Sequence, residues 1–245
     1  MATVDILNMD CMEYMATLPD KAFDLAIVDP PYGRGEHGGK SRTHGVVQKN
    51  GKVSVVAGEY VKKNWDNDPP GEEYIYSLLR VSKQQIIFGV NYIPRFNFSG
   101  GRIVWDKLND GSDQSGAEIA YCSLNERVDI VRYMWRGMMQ GERVGSFWQQ
   151  GDKRINEVRI HPTQKPVALY RWILENYAEP GQRILDTHLG SGSSAIAAHY
   201  FGCDFVGTEL DPDYHKSAVE RFNHETKQRD LFQQLPAKHR PEWRN

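Results

Sequence analysis

Two short stretches of this chain hold residue types that can do chemistry. Asp29-Pro30-Pro31-Tyr32 follows the near-continuous apolar run Phe23 to Val28. Two consecutive prolines fix the backbone and remove two N–H donors. What remains on offer is acceptors, the Asp29 carboxylate and backbone carbonyls, beside the flat ring of Tyr32. Such a turn suits an amine with two hydrogens to donate, carried on a planar base that stacks on Tyr32. The plain alternative is a proline turn that only ends a strand. The second stretch is Asp186-Thr187-His188-Leu189-Gly190-Ser191-Gly192-Ser193, which follows a short apolar strand pattern. Glycines let backbone approach a ligand and turn tightly into the next helix. The following strand pattern ends in Glu209, 23 residues after Asp186, where a carboxylate can accept both hydroxyls of a ribose. A full G-x-G-x-x-G is missing because position 195 is Ala, so a nucleoside cofactor without phosphates fits better than a dinucleotide. A structural glycine turn is the alternative here, and His188 reads as a partly exposed loop histidine.

These residues need elements to hold them. Val4–Leu7 is short and apolar, and Cys11–Leu18 has helical spacing. Strand patterns fall at 23–28, 85–90, 102–105, 118–122, 129–135, 183–185 and 204–209. Helical patterns fall at 72–81, 166–177, 193–201 and 212–222. Residues 33–63 and 136–160 have no period and read as loops, and the tail after Arg229 is polar and expected to fray. Alternating strands and helices imply an α/β fold with a mostly parallel sheet and helices on both faces. Ligands of such sheets sit at the carboxyl ends of the strands, where Asp10, Asp29–Tyr32, Asp186–Gly192 and Glu209 all fall.

Hydrophobic residues make up 40% of the 245 and charged residues 25%, ordinary values for a globular protein. No apolar run is long enough for a membrane span, and Met1–Asp10 has no basic-then-apolar leader pattern. The three scattered cysteines, Cys11, Cys122 and Cys203, suggest neither disulfides nor zinc, so a reducing cytoplasm is expected; the histidines show no metal spacing. The net charge of −2 hides a partition. Residues 33–63 and 132–171 each carry a net +5, leaving −12 for the rest. Either these are positive surfaces for an anionic partner or they are two solvated loops. The tryptophans Trp65, Trp105, Trp135 and Trp148, with Tyr133, read as packing residues.

The two chemical stretches together resemble the DNA amino-methyltransferases that modify adenine N6 or cytosine N4. That family carries an [DNS]-PP-[YFW] catalytic motif and an acidic glycine loop for S-adenosylmethionine. Three further pieces match in order. Asn8-Met9-Asp10-Cys11 resembles the family's N-terminal Asp-Cys turn, His161-Pro162-Thr163-Gln164-Lys165-Pro166 its HPTxKP segment, and Asp204 to Glu209 its ribose-binding strand. The catalytic motif precedes the cofactor loop, which is the order of the permuted beta group. The departure is Asp186-Thr187-His188, where the family usually has Asp-Pro-Phe.

The resemblance implies a Rossmann-like class I methyltransferase sheet, circularly permuted in motif order. It covers a single domain at about 1–230, with DNA-contacting loops at 33–63 and 136–160 and a polar tail at 231–245. It implies catalysis by Asp29, Pro30, Pro31 and Tyr32. The S-adenosylmethionine site would use Asp10, Cys11, His161, Thr163, Gln164, Lys165, Asp186, Leu189, Gly190, Ser191, Gly192, Ser193, Glu209 and Leu210. Asp10 would meet the cofactor's adenine amine, Cys11 would contribute backbone, and the His161–Pro166 segment would line the methionine end. In the family DPPY goes mostly with adenine N6, so N6 methylation of a flipped-out adenine in DNA is expected; N4-cytosine transfer is the runner-up. A nicotinamide dehydrogenase would leave the DPPY turn without a role, and a catalytically silent DNA-binding accessory protein would not need Asp29 and Tyr32. DNA is the expected partner, held by Lys40, Arg42, Lys49, Lys62, Lys63, Arg136 and Arg143, and relatives of this group often form homodimers. If those basic loops hold DNA, binding falls steeply with salt, with a log–log slope on the order of −4 to −5. Charge reversal at Lys62 and Lys63 flattens the slope by about one or two units and leaves cofactor affinity alone. A slope unchanged in the double variant would show that these lysines only solvate a loop.

Overall fold

The computed structural model describes residues 2–35, 46–47, 53–54, 66, 68–93, 95–109, 115–136, 139–141 and 156–233. The side chains of 46–47, 53–54, 136, 139 and 228–233 are outside the description. Lys40, Arg42, Lys49, Lys62, Lys63, Arg143, Trp65 and Trp148 therefore lie outside the described residues, and of Arg136 only the backbone is described.

In chain order the elements are β1 (Val4–Asn8), α1 (Cys11–Ala16), β2 (Phe23–Val28), β3 (Val46–Val47), β4 (Val53–Ser54), α2 (Glu72–Val81) and β5 (Ser82–Phe88). A 3-10 turn follows at Val90–Tyr92, then β6 (Gly101–Asp106), β7 (Ala117–Cys122), β8 (Val128–Arg132), β9 (Met134–Arg136) and β10 (Met139–Gly141). The last elements are α3 (Val167–Tyr177), β11 (Arg183–Asp186), α4 (Ser193–Phe201), β12 (Asp204–Glu209) and α5 (Pro212–Gln233). Eight strands form one sheet in the order β1-β12-β11-β2-β5-β7-β6-β8. Neighbours from β1 to β5 are parallel, β7 runs antiparallel to both β5 and β6, and β8 is parallel to β6.

The sheet is buried on both faces, which is why its central strands read as apolar runs and not as alternations. Leu25 and Ile27 of β2, Ile86 and Phe88 of β5, and Phe205 of β12 pack with Leu169 and Ile173 of α3 and Ala195 and Ala198 of α4. Their neighbours Ala26, Val28, Ile87 and Val206 face the other way, onto Tyr74, Ile75, Leu78 and Val81 of α2. The inward residues of α2 follow the spacing of one helical face. Asp10 caps α1, its Oδ1 accepting from the Met12 and Glu13 N–H groups at 2.7 and 3.2 Å. Arg80, in the last turn of α2, closes the far end of α1 by donating to the carbonyls of Leu18 and Met15. Trp105 and Trp135 are core residues, as their sequence suggested.

Four expectations change. The 129–135 strand is broken at Tyr133: the pairing of β8 with β6 ends at Arg132 opposite Asp106, and β9 begins at Met134. The 85–90 strand starts and ends earlier, because Gly89 takes a positive φ of 70° and the chain turns. A Cβ there would fall 2.0 Å from the Tyr32 ring, so only glycine fits. The two loops contain short antiparallel pairs, β3 with β4 and β10 with β9. Helix α5 runs to Gln233, past the Arg229 boundary expected for the tail. Among the described residues no helix is long and apolar enough to cross a membrane.

Candidate active site

Asp10, Asp29, Asp186 and Glu209 stand at or just beyond the carboxyl ends of β1, β2, β11 and β12, four strands that are consecutive in the sheet. The glycine loop between β11 and α4 is shaped by Gly190 and Gly192, both at positive φ (54° and 76°). A Cβ on Gly190 would meet the His161 ring at 3.8 Å, an ordinary contact, so the positive φ is what favours glycine there. Glu209 grips this loop: its Oε2 accepts the Gly190 N–H at 2.8 Å and its Oε1 the Asp211 N–H at 2.9 Å. Burial raises the Glu209 carboxyl, and those two N–H bonds partly offset it.

Asp186 is buried, accepting from the His188 N–H at 3.0 Å and the Ser194 hydroxyl at 2.6 Å. Among the described residues no basic side chain pairs with it, and burial pushes its carboxyl up to about 7. The Thr187-His188 pair that departs from the family pattern is held by Tyr74 of α2, whose hydroxyl lies 2.6 Å from Thr187 Oγ1 and 3.5 Å from His188 Nδ1. Burial lowers His188 to about 4, so it is neutral. Its side chain is partly exposed in the loop.

The Asp29-Pro30-Pro31-Tyr32 turn is closed by Asp66, whose Oδ1 accepts the Tyr32 and Gly33 N–H groups at 2.7 and 2.9 Å. The prolines lack donors and the next two are consumed, so the turn offers acceptors to its surroundings. The Tyr32 hydroxyl donates to Asp29 Oδ1 at 2.6 Å. Lys165, with a side chain 3% exposed, forms an ion pair with Asp29 Oδ2 and a second with Glu118 Oε2 at 2.9 Å. Glu118, on β7, holds Lys107 through its other oxygen at 2.5 Å. Burial would raise Glu118, but Lys165 and Lys107 outweigh it and hold the carboxyl at about 2. Burial, with the nearby Glu118, outweighs Lys165 and the Tyr32 hydroxyl at Asp29, so its carboxyl stands above the usual range. Tyr32 does not present a bare face: its ring stacks on Tyr92, centroids 4.9 Å apart.

The sequence candidates divide accordingly. Asp10, Asp186, Gly190, Gly192 and Glu209 come together at one end of the sheet, and Lys165 joins Asp29 and Tyr32. His161 is buried over the glycine loop, with Thr163 bonded to its Nδ1. Gln164 is spent on structure: its side chain bonds the backbone at Val158 and Ile160, and its carbonyl takes the Trp135 indole N–H. Leu189 packs in the core and the Leu210 side chain is exposed. Ser191 and Ser193 are buried, and Arg221 donates to the Ser191 carbonyl and the Ser193 hydroxyl, both at 2.9 Å. Burial lifts the Cys11 thiol to about 12, which leaves no thiolate there.

A family model described as DNA methylase matches residues 103–220. YubD of Escherichia coli (strain K12), which carries a methylase name, is 26% identical over 223 residues, 86% of this chain and 87% of its own length. M.HinfI of Haemophilus influenzae, a type II methyltransferase, is 25% identical over 249 residues, 88% of this chain and 67% of its own. The chain is similar to DNA methylases along these stretches. Its fold matches that of two solved methyltransferases. One is M1.HpyAVI in complex with SAM (TM-score 0.50, 19% identity, 89% of this chain and 100% of that one). The other is the PvuII cytosine-N4-specific DNA methyltransferase (TM-score 0.56, 12% identity, 94% and 91%).

Within this site, Glu118, Lys107, Asp66, Tyr74, Tyr92 and Arg221 were not marked by sequence. Glu118 sits in a strand whose pattern signals only pairing, and Asp66 is 34 positions from the turn it closes.

The Asp186 carboxyl yields a pH prediction. Its folded value is above the unfolded value of 3.8, so the folded state keeps a proton that the unfolded chain loses. Stability from this group is full below pH ~4 and is lost as pH rises to about 7. Asp186→Asn removes the loss, since its amide can still face His188 N–H and Ser194. Without ligand it melts about 2–6 °C above wild type at pH 8, with the gap closing towards pH 4. Thermal melts at both pH values check this; an equal gap at each would contradict the buried, unpaired carboxyl.

Proposed function

We propose that this chain transfers a methyl group from S-adenosylmethionine to the exocyclic N6 amine of adenine in DNA. The observation that carries the reading is the Asp29 turn, rich in acceptors and closed against its own donors, lying beside an acidic glycine loop at the carboxyl ends of parallel strands. The residues present fit S-adenosylmethionine. Asp186 is a buried carboxyl without a basic partner, which suits a cationic ligand. Glu209 and Asp10 are acceptors for ribose hydroxyls and a base amine, and Gly190 turns the loop at a positive φ beside them. His161 and Thr163 border the same loop. M1.HpyAVI, which shares the fold, is described in complex with SAM.

The cofactor's sulfonium supplies an already activated methyl group, so the protein has no electrophile to create. Its task is to align the amine and keep the nitrogen lone pair available. Adenine N6 is a weak nucleophile because its lone pair is delocalised into the ring. Asp29 and the Pro30 carbonyl accept its two N–H groups, shift density towards nitrogen and stabilise the positive charge that develops. The proton left on nitrogen after transfer has Asp29 as its nearest acceptor. The base cannot be reached inside a duplex, so it is flipped out and meets the ring of Tyr32 in competition with Tyr92. Pro31 holds the turn rigid. The match of DPPY to the N6 side of the family favours adenine over cytosine, and the basic segments 33–63 and 136–160 are the proposed DNA contacts.

Nucleoside mass spectrometry of DNA incubated with the protein and S-adenosylmethionine tests this. N6-methyladenine is expected from wild type, and Asp29→Ala lowers the rate by about 100-fold or more, on the order of 3 kcal/mol in the barrier, with cofactor binding kept. N4-methylcytosine alone would move the specificity to cytosine. Asp29→Ala turning over within threefold of wild type would overturn the role given to Asp29.

A further inference from the structure

Both oxygens of Asp29 have a partner in the structure. One oxygen accepts the Tyr32 hydroxyl and the other pairs with Lys165. An amine that bonds Asp29 must share one of these oxygens with its present partner or displace that partner. Displacing Lys165 would strand an ammonium whose side chain is 3% exposed, and leaving a buried charge unpaired is strongly unfavourable. Both groups, however, already reach a second carboxylate. Lys165 Nζ lies 2.9 Å and the Tyr32 hydroxyl 3.3 Å from the same oxygen, Glu118 Oε2. The other oxygen is anchored by Lys107 at 2.5 Å, so Glu118 is held in place from behind.

We propose that Glu118 is a positioning residue that takes over the Lys165 ammonium and the Tyr32 hydroxyl when Asp29 turns to the target amine. The assignment rests on the reading of Asp29 as the amine's acceptor. It deepens that reading by explaining how a carboxylate already paired with a cation can serve there. Glu118 has a second effect of the same sign. Lys165 puts a full positive charge beside the nitrogen on which positive charge develops, and a carboxylate 2.9 Å away offsets it. The balance is visible in the acidities. Glu118, between two cations, stays ionised, while Asp29 is the carboxylate that keeps a raised affinity for protons. The other titratable groups around Asp29 are Tyr32 in its own turn, Asp186 on the glycine loop, Tyr74 on α2 and Tyr170 on α3. The tyrosines stay neutral because burial raises them, so Lys165 and Glu118 are the charges that pull Asp29 in opposite directions.

The test is single-turnover methylation of DNA with S-adenosylmethionine saturating, followed across pH for wild type, Glu118→Gln, Lys107→Met and Asp29→Ala. Glu118→Gln removes a negative charge from beside Asp29 and leaves Lys165 with no other carboxylate. Its rate falls tenfold or more, cofactor affinity stays within twofold, and the acid limb moves to lower pH by about half a unit or more. Lys107→Met removes a positive charge behind Glu118 and moves the acid limb the opposite way, to higher pH. A structural defect would lower the rate without shifting the limb in opposite directions in the two variants. Lys107→Met also keeps the inference testable if Glu118→Gln does not fold. A Glu118→Gln or Lys107→Met limb that stays put or moves the other way overturns the assignment. Asp29→Ala separates the two levels. If it is silent while the Glu118→Gln rate and profile match wild type, only the Glu118 role fails; if it turns over like wild type, the Asp29 reading fails first.

Discussion

A lysine with almost no exposed surface lies between two carboxylates in the middle of the site, and the geometry around it depends on that pairing. Lys165 cannot remain charged there without compensation, because desolvating an ammonium costs several kcal/mol even after relaxation. Asp29 and Glu118 supply the compensation from two strands that are not neighbours, β2 and β7, with β5 between them. The ammonium therefore ties the catalytic-type turn, the antiparallel part of the sheet and the segment that enters α3 into one rigid corner. Tyr32 joins the same network through its hydroxyl, and Gly89 is glycine because the ring needs the space its side chain would fill.

The rest of the site follows from the sheet. Parallel strands present their carboxyl ends on one edge, and β1, β2, β11 and β12 each end here in an acidic residue or a turn that carries one. The acidity is not uniform. Asp186 is isolated and raised by burial, Glu209 is gripped by backbone N–H groups, and Asp29 is balanced against a lysine. A pocket with a carboxylate to spare at one end and an acceptor turn at the other suits a cationic cofactor beside a neutral amine. The glycine loop is held from below by Arg221, which is paired with Glu157, whose other oxygen accepts the Val167 N–H at the start of α3.

The sequence was most informative where one residue type has one physical use. Consecutive prolines, the glycines at positive φ and the acidic ends of apolar runs located the sheet edge and the two stretches upon it. It was least informative where a role depends on a partner far along the chain. Lys165 was legible as part of the HPTQKP segment, yet nothing in that segment says that its ammonium meets Asp29, 136 positions away. Glu118 is one of several polar residues in an antiparallel strand, and Asp66 lies in a stretch without period. Gln164 shows the converse. It belongs to the same motif, but the Trp135 indole and the backbone around Ile160 engage it. The break at Tyr133 was hidden because apolar residues continue through it, while the pairing of β8 with β6 stops at Arg132 and β9 pairs with β10 instead.

The claim that most of this rests on is electrostatic, and it can be measured without turnover. Carbon-13 NMR of the side-chain carboxyls in the protein without ligands, with the Asp29 resonance identified by its loss in Asp29→Asn, follows the group directly through pH. Asp29 is expected to titrate above the ordinary aspartate value of about 4 while Glu118 titrates well below the ordinary glutamate value. An Asp29 midpoint at or below 4, or a Glu118 midpoint in the ordinary range, would contradict a lysine shared between two unequal carboxylates.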